Sequence, residues 1–289
     1  MPMKERTKSA TTWLRAKHWV LGLLSVTVVF AIITALVVNF RSDRKTGNGE
    51  PNPSPTSTGG TLTPAKLLSL GNNWRIQMPS LDESTNTISV VSNPDFQQLS
   101  NQFFHLNQNE TAAVFYTNNT GVTTPGSHSP RTELRQMTDD GTKLAAWSAD
   151  DSVGHSLNVT LHVDHIPQGK FVIVSQVIAS EGPMATIRVN ATAITTTWQV
   201  VACFATQGGC KTLDSNYSLG TPMALGLHVA NSLLLGSYWN KVTNTTVSFT
   251  HSLPSYDTCS FKLGSYCGIT SDDSDLEYCQ VSVFSVLVK

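Results

Sequence analysis

Beyond residue 64, this 289-residue sequence predicts an all-β fold, a jelly-roll β-sandwich with one concave sheet face, preceded by one transmembrane helix and a disordered stalk. Three observations carry the prediction. The apolar runs after residue 64 are short, rich in β-branched residues and cut by turn residues, which is the spacing of a sandwich or barrel and not of βαβ units. Charged residues make up only 13% of the chain while Thr, Ser, Asn and Val abound, a composition that favours strands and turns over surface helices. Before residue 64 lie a long apolar run and then a stretch with almost nothing to bury.

Residues 19–38 form an uncharged apolar run of 20 residues, and about 20 suffice to cross a bilayer as a helix. Lys4, Arg6, Lys8, Arg15 and Lys17 precede it; Arg41, Arg44 and Lys45 follow, with Asp43 among them. The positive-inside bias favours a cytoplasmic N-terminus. A cleaved signal peptide is the alternative, but its apolar core runs about 7–15 residues and ends in small residues. This run is longer, and Val37-Val38-Asn39-Phe40 is a poor cleavage site. The stalk, rich in Pro, Gly, Ser and Thr, cannot bury a core. The expected organisation is a cytoplasmic tail over 1–18, a signal-anchor over 19–40, a stalk over 41–64 and a folded domain over 65–289. That makes the chain a single-pass type II membrane protein with its C-terminal domain extracellular or in the secretory lumen, or, with a cleaved leader, a secreted protein. Six N-x-Ser/Thr sequons, at Asn109, Asn118, Asn158, Asn190, Asn216 and Asn244, agree with that compartment and are expected glycosylation sites. A net charge of -1 supplies no field for nucleic acid.

All five cysteines lie in the last third of the chain, and an oxidising compartment favours disulfides. Cys203 and Cys210 end two strands closed by a Gly-Gly turn and are the expected bridge. Among Cys259, Cys267 and Cys279, one bridge leaves one thiol over. No C-x-x-C spacing occurs, so the cysteines suggest no metal site. His162 and His165 are three apart, an offset that on a regular strand points the rings to opposite faces and argues against a metal pair.

One short helix is expected over 64–70. Strands are expected over 87–92, 112–116, 157–163, 171–178, 185–189, 196–202, 246–249 and 281–288. The chemistry lies in three further readings. In Arg131-Thr132-Glu133-Leu134-Arg135, read as a strand, Arg131, Glu133 and Arg135 share one face and Thr132 and Leu134 the other. Two guanidiniums flanking a carboxylate make a cationic comb suited to a polymer with one carboxylate per sugar, since Arg matches a carboxylate with two parallel hydrogen bonds. Gln176 interrupts an apolar strand as an amide donor, sharing a face with Ile178 and with Val172 and Val174 before them. In Phe261-Lys262-Leu263-Gly264-Ser265-Tyr266-Cys267-Gly268, alternation turns Phe261, Leu263 and Ser265 inward and Lys262, Gly264, Tyr266 and Gly268 outward. Lys262 and Tyr266 then flank a notch at Gly264, and the cation favours the phenolate. The plainer readings are an exposed strand with an ion pair, an edge amide, and an ordinary surface Lys and Tyr.

Gly126-Ser-His-Ser-Pro-Arg-Thr-Glu-Leu-Arg135 resembles the R-(T/S)-E-L-R strand of the alginate lyase 2 domain, polysaccharide lyase family seven. Ser175-Gln176-Val177-Ile178 falls where that family has Q-(I/V)-H. Ser260-Phe-Lys-Leu-Gly-Ser-Tyr-Cys-Gly268 is similar to its Y-F-K-A-G-x-Y-x-Q, and the last strand, from Tyr278, is similar to its closing strand. The resemblance implies a jelly roll with a substrate cleft on its concave sheet. It also implies cleavage of a polyuronide, alginate or a related uronan, by β-elimination with no cofactor. Arg131 and Gln176 would neutralise the carboxylate beside the departing hydrogen. Tyr266 would serve as acid and base. Glu133, Arg135 and Lys262 would bind neighbouring uronates or hold the catalytic groups. Ile178 stands where the family has its His, and Gly268 where it has its last Gln. Either Tyr266 performs both proton transfers with another donor substituting, drawn from His105, His128, His155, His162, His165, His228 or His251, or the cleft binds a uronate polymer without cutting it, as an inactive lectin-like membrane glycoprotein. An acidic polysaccharide and, through the N-terminal helix, a membrane are the expected partners; nucleic acid is not.

Overall fold

The computed structural model describes residues 61–191, 197–205, 209–273 and 276–289. The tail, the signal-anchor and all of the stalk but its last four residues lie outside them, as does most of the Gly-Gly turn. No helix among the described residues is long and apolar enough to cross a membrane.

One helix, α1 (Pro64–Leu67), precedes the strands. Thr63 caps it by accepting from the Lys66 amide, and Pro64 occupies the first turn, where no donor is needed. Ser69 turns left-handed at φ 53° and ends it, so the helix is shorter than the 64–70 expected. Thr63 and Pro64 are buried, so the folded part starts before residue 65.

The strands are β1 (Trp74–Asp82), β2 (Thr87–Val91), β3 (Phe104–Leu106), β4 (Ala113–Asn118), β5 (Arg131–Gln136), β6 (His155–His165), β7 (Phe171–Ala179), β8 (Gly182–Ala191), β9 (Trp198–Phe204), β10 (Gly209–Tyr217), β11 (Met223–Ala230), β12 (Leu233–Asn240), β13 (Thr245–Ser252), β14 (Ser260–Cys267) and β15 (Tyr278–Val288). They form an eight-stranded sheet in the order β10-β9-β8-β7-β14-β5-β1-β2 and a seven-stranded sheet in the order β13-β12-β11-β6-β15-β4-β3. The described pairings are antiparallel, which makes the fold an all-β sandwich. The crossover that matters most places β14, from near the end of the chain, between β5 and β7. It brings three segments far apart in sequence side by side.

Alternation decides the layers. Leu134, Phe261, Leu263, Trp74 and Ile76 from the larger sheet meet Phe115, Leu161, Val163, Val281 and Val283 from the smaller one in a single core. Thr132 also points inward, its hydroxyl donating to the Tyr116 carbonyl (2.6 Å). Thr117 on β4 ties the sheets at the same level: it donates to the Ser265 carbonyl and accepts from the Thr132 amide, both at 3.0 Å.

Two bulges change the sequence reading. Register shifts over Ile173–Ser175, seen against β8 and against Leu263–Tyr266 of β14, break the alternation of β7, while β14 keeps its own against β5. Val172 and Val174 therefore join Val177 in the core, and Ile173, not the two valines, shares the outer face with Gln176 and Ile178. A second shift, between Gln280 and Val281, lies beside Asp164 and brings His165 round to the solvent side with His162. There His165 stacks on Tyr278 at 4.0 Å and His162 meets the edge of Phe284. The described residues hold no cluster able to ligate a metal.

Cys203 is bonded to Cys210, as their spacing predicts. Cys267 on β14 is bonded to Cys279 on β15, joining the two sheets, and Cys259 is the free, buried thiol. Burial pushes that thiol up to about 11. Of the sequon asparagines, Asn109, Asn216 and Asn244 are exposed, and Asn118, Asn158 and Asn190 are half-buried.

Candidate active site

The outer face of the eight-stranded sheet carries two registered rows of side chains. The first runs Arg75, Arg135, Lys262, Gln176, Thr186 across β1, β5, β14, β7 and β8. The second runs Arg131, Tyr266, Ile173, Arg188 across β5, β14, β7 and β8. The rows are four residues apart on β5, three on β7 and two on β8, so the bulges make them converge. Between them stand Gln77, Glu133 and Gly264, also in register. Gly264 has φ +148°, and a Cβ there would lie 2.3 Å from the Thr132 carbonyl oxygen, so the strand admits only glycine at this point.

Arg131 and Tyr266 are directly opposed. The guanidinium lies 3.8 Å over the Tyr266 ring, a cation–π contact. Ser127, from the loop before β5, joins them: it accepts from Arg131 and its hydroxyl is 3.3 Å from the Tyr266 hydroxyl. Sequence reasoning passed over Ser127. Its only signal was a turn composition, Pro125-Gly126-Ser127-His128-Ser129-Pro130, just ahead of the comb.

Glu133 is 2% exposed and would be costly to bury unpaired. Gln176 donates its amide to one carboxylate oxygen, and the Lys262 ammonium lies 3.6 Å from the other. The cation that meets Tyr266 is therefore Arg131, while Lys262 turns to Glu133. Gln176 sits in the Lys262 row, across from it, and reaches the Arg131 end only through Glu133. Ile178, opposite Ser260, lies further along β7 in the same direction, away from Tyr266.

The electrostatics are lopsided. Within the two rows and the residues between them, five cations (Arg75, Arg131, Arg135, Lys262 and Arg188) face one carboxylate, Glu133, a balance of 5 − 1 = +4. Burial lowers Arg75, Arg135, Arg188 and Lys262 from their ordinary values; Glu133 opposes the shift at Arg135 and Lys262, and neighbouring arginines add to it. The Nε donors of Arg75, Arg131 and Arg135 are buried without a hydrogen-bond partner. Such an arrangement is suited to an anion with many charges.

Six of the seven histidines in the described residues, His105, His155, His162, His165, His228 and His251, belong to the seven-stranded sheet. His128 is exposed in the loop before β5, next in sequence to Ser127.

Residues 68–289 match the family described as alginate lyase. The chain belongs to the alginate lyase family. An alginate lyase of polysaccharide lyase family 7 is 26% identical, with 79% of this chain and 99% of that one covered and a TM-score of 0.68. The alginate lyase from Corynebacterium sp. is 27% identical over 78% of this chain and 97% of its own, with a TM-score of 0.64. The alginate lyase from Klebsiella pneumoniae, at 14% identity, 79% and 98% coverage and a TM-score of 0.69, shares the fold. No curated protein sequence matches.

Proposed function

We propose that this alginate lyase family domain is a polysaccharide lyase that cleaves a polyuronide, alginate or a related uronan, by β-elimination. The observation that carries the reading is the excess of +4 in two rows that hold a Tyr against an Arg. Binding a uronate carboxylate at Arg131, with the second amide hydrogen of Gln176 available to a carboxylate between the rows, stabilises the charge that develops when the C5 hydrogen leaves. As phenolate, Tyr266 takes that hydrogen as a proton. The electron pair forms the C4–C5 double bond, the C4–O bond breaks, and the resulting phenol returns the proton to the departing oxygen. No water or redox change enters the balance. Ser127 and the Arg131 guanidinium hold Tyr266. Arg75, Arg135 and Lys262 bind neighbouring carboxylates, and Glu133 holds Lys262 and Gln176 in place.

Ile178 favours a second reading, a domain that binds uronate chains without cutting them, because it puts no proton-transfer group where the family has its His. The N-terminal apolar run and the two disulfides support a membrane-anchored domain facing an oxidising compartment, with the six sequons as glycosylation sites. Mass analysis of the products tests the reaction class. The full chain incubated with alginate, its separated block types and glucuronan is expected to release fragments lighter by one water than hydrolysis products. Hydrolytic masses with no lighter series beside them contradict the proposal. Intact polymer that still binds, and loses binding in Arg131→Ala, favours the second reading.

A further inference from the structure

We propose that Phe171, Arg188 and Asn190 form a further subsite, which takes a uronate unit of the same polymer beyond the unit that meets Arg131 and Tyr266. The inference rests on the polyuronide reading above. Phe171 opposes Asn190, and Ile173 opposes Arg188, between β7 and β8, so all four share the outer face. Gln199 faces Asn190 from β9. Tyr266 opposes Ile173, which places Arg188 two strands from Tyr266, about 9–10 Å in the direction across the sheet.

The Phe171 ring occupies the space over Gly268. A Cβ at residue 268 would lie 2.5–2.8 Å from three ring atoms, so the ring can sit there only because that residue is glycine. The Gly268 amide also donates to the Phe171 carbonyl at 2.7 Å. Where the family resemblance has a glutamine, this chain has an aromatic surface. The Arg188 guanidinium lies 5.4 Å from the ring centroid, and its Nε donates to Thr186 at 3.3 Å. No carboxylate among the described residues is in ion-pair distance of it.

A ring with a half-buried guanidinium lying over it offers a uronate an apolar surface and a carboxylate partner together. The C–H face of the pyranose packs on Phe171, the carboxylate takes the two parallel bonds a guanidinium offers, and the amides of Asn190 and Gln199 reach hydroxyls. Asn190 also heads a sequon, so a glycan on it and a sugar in this subsite exclude each other.

The test titrates uronate oligomers of increasing length into the full chain by calorimetry. Every protein carries Tyr266→Phe to stop turnover and Thr192→Ala, which removes the sequon and keeps Asn190. Phe171→Ala and Arg188→Gln are each expected to weaken the longer oligomers about ten-fold and to flatten the rise of affinity with length. Phe171→Trp, which keeps a platform, is expected to keep that rise. Melting curves check the fold, and Arg188→Gln, at a half-exposed position, carries the test if Phe171→Ala does not fold. Unchanged affinity at every length in folded variants, with Arg131→Ala still abolishing binding, overturns the subsite and leaves the polyuronide reading standing. A parent that binds no uronate of any length overturns that reading and the subsite with it.

Discussion

The outer faces of the two sheets differ in the charge they carry and in how it is answered: the strands of the seven-stranded sheet hold no Arg or Lys and one carboxylate, Asp164. On the seven-stranded sheet, Asp164 faces His162 at 2.8 Å and accepts from Ser282 at 2.8 Å, and the nearby rings stack on one another. Within the two rows of the eight-stranded sheet and the residues between them, Glu133 is the single carboxylate among five cations, and three buried guanidinium Nε groups lack acceptors. The buried atoms left without a partner on the first face, on His105, Asn158 and His162, belong to no Arg or Lys. On the second, under the polyuronide reading, carboxylates of the polymer are the expected acceptors.

The contrast breaks most visibly at Glu133. Glu133→Ala leaves Lys262 and the arginines without their carboxylate, and removing one partner of a buried pair costs about 3–5 kcal/mol. Thermal or denaturant unfolding measures that loss, and added polyuronate is expected to recover part of it. Arg131→Ala removes the group opposed to Tyr266 and is expected to lower kcat by about 10²–10³, read as the rate of product formation at saturating polymer. At Lys262 the effect is smaller and depends on pH. Burial lowers its pKa, so the ammonium is lost below the usual value of about 10.4 as pH rises. Affinity for the polymer is expected to fall as pH rises through that lowered value, and Lys262→Met to flatten the fall. On the other face, His162→Ala is expected to change stability by no more than about 0.5 kcal/mol and to leave polymer affinity as it was. A larger effect on affinity there would erase the distinction between the faces.

What the sequence disclosed follows the same physics. The comb on β5 was legible because a regular strand has period two, and Arg131, Glu133 and Arg135 do share the outer face. Lys262 and Tyr266 followed by the same rule. The positions of Val172, Val174 and His165 were not legible, because each lies next to a bulge that one strand does not show by itself. Cys203–Cys210 could be found from a seven-residue separation, whereas Cys267–Cys279 depends on β14 and β15 lying in opposite sheets. The hairpin of β11 and β12 went unread. Its strands are rich in Leu, Gly and Ala, and its turn, Asn231-Ser232, declares itself only by two positive φ angles. Ser127 and the Phe171–Arg188 pair depend on a loop conformation and on cross-strand register, both products of the folded sheet.

The elimination itself is read most directly from the ultraviolet absorbance of the conjugated double bond it leaves at the new chain end, followed while the full disulfide-bonded chain acts on alginate. A steady rise is expected with the wild-type chain and a loss of about 10²–10⁴ in rate with Tyr266→Phe, the range for removing a general acid–base group, with polymer binding retained. A rise of equal rate in Tyr266→Phe, or a flat trace with the wild-type chain on a polymer it binds, would contradict the proposed reaction.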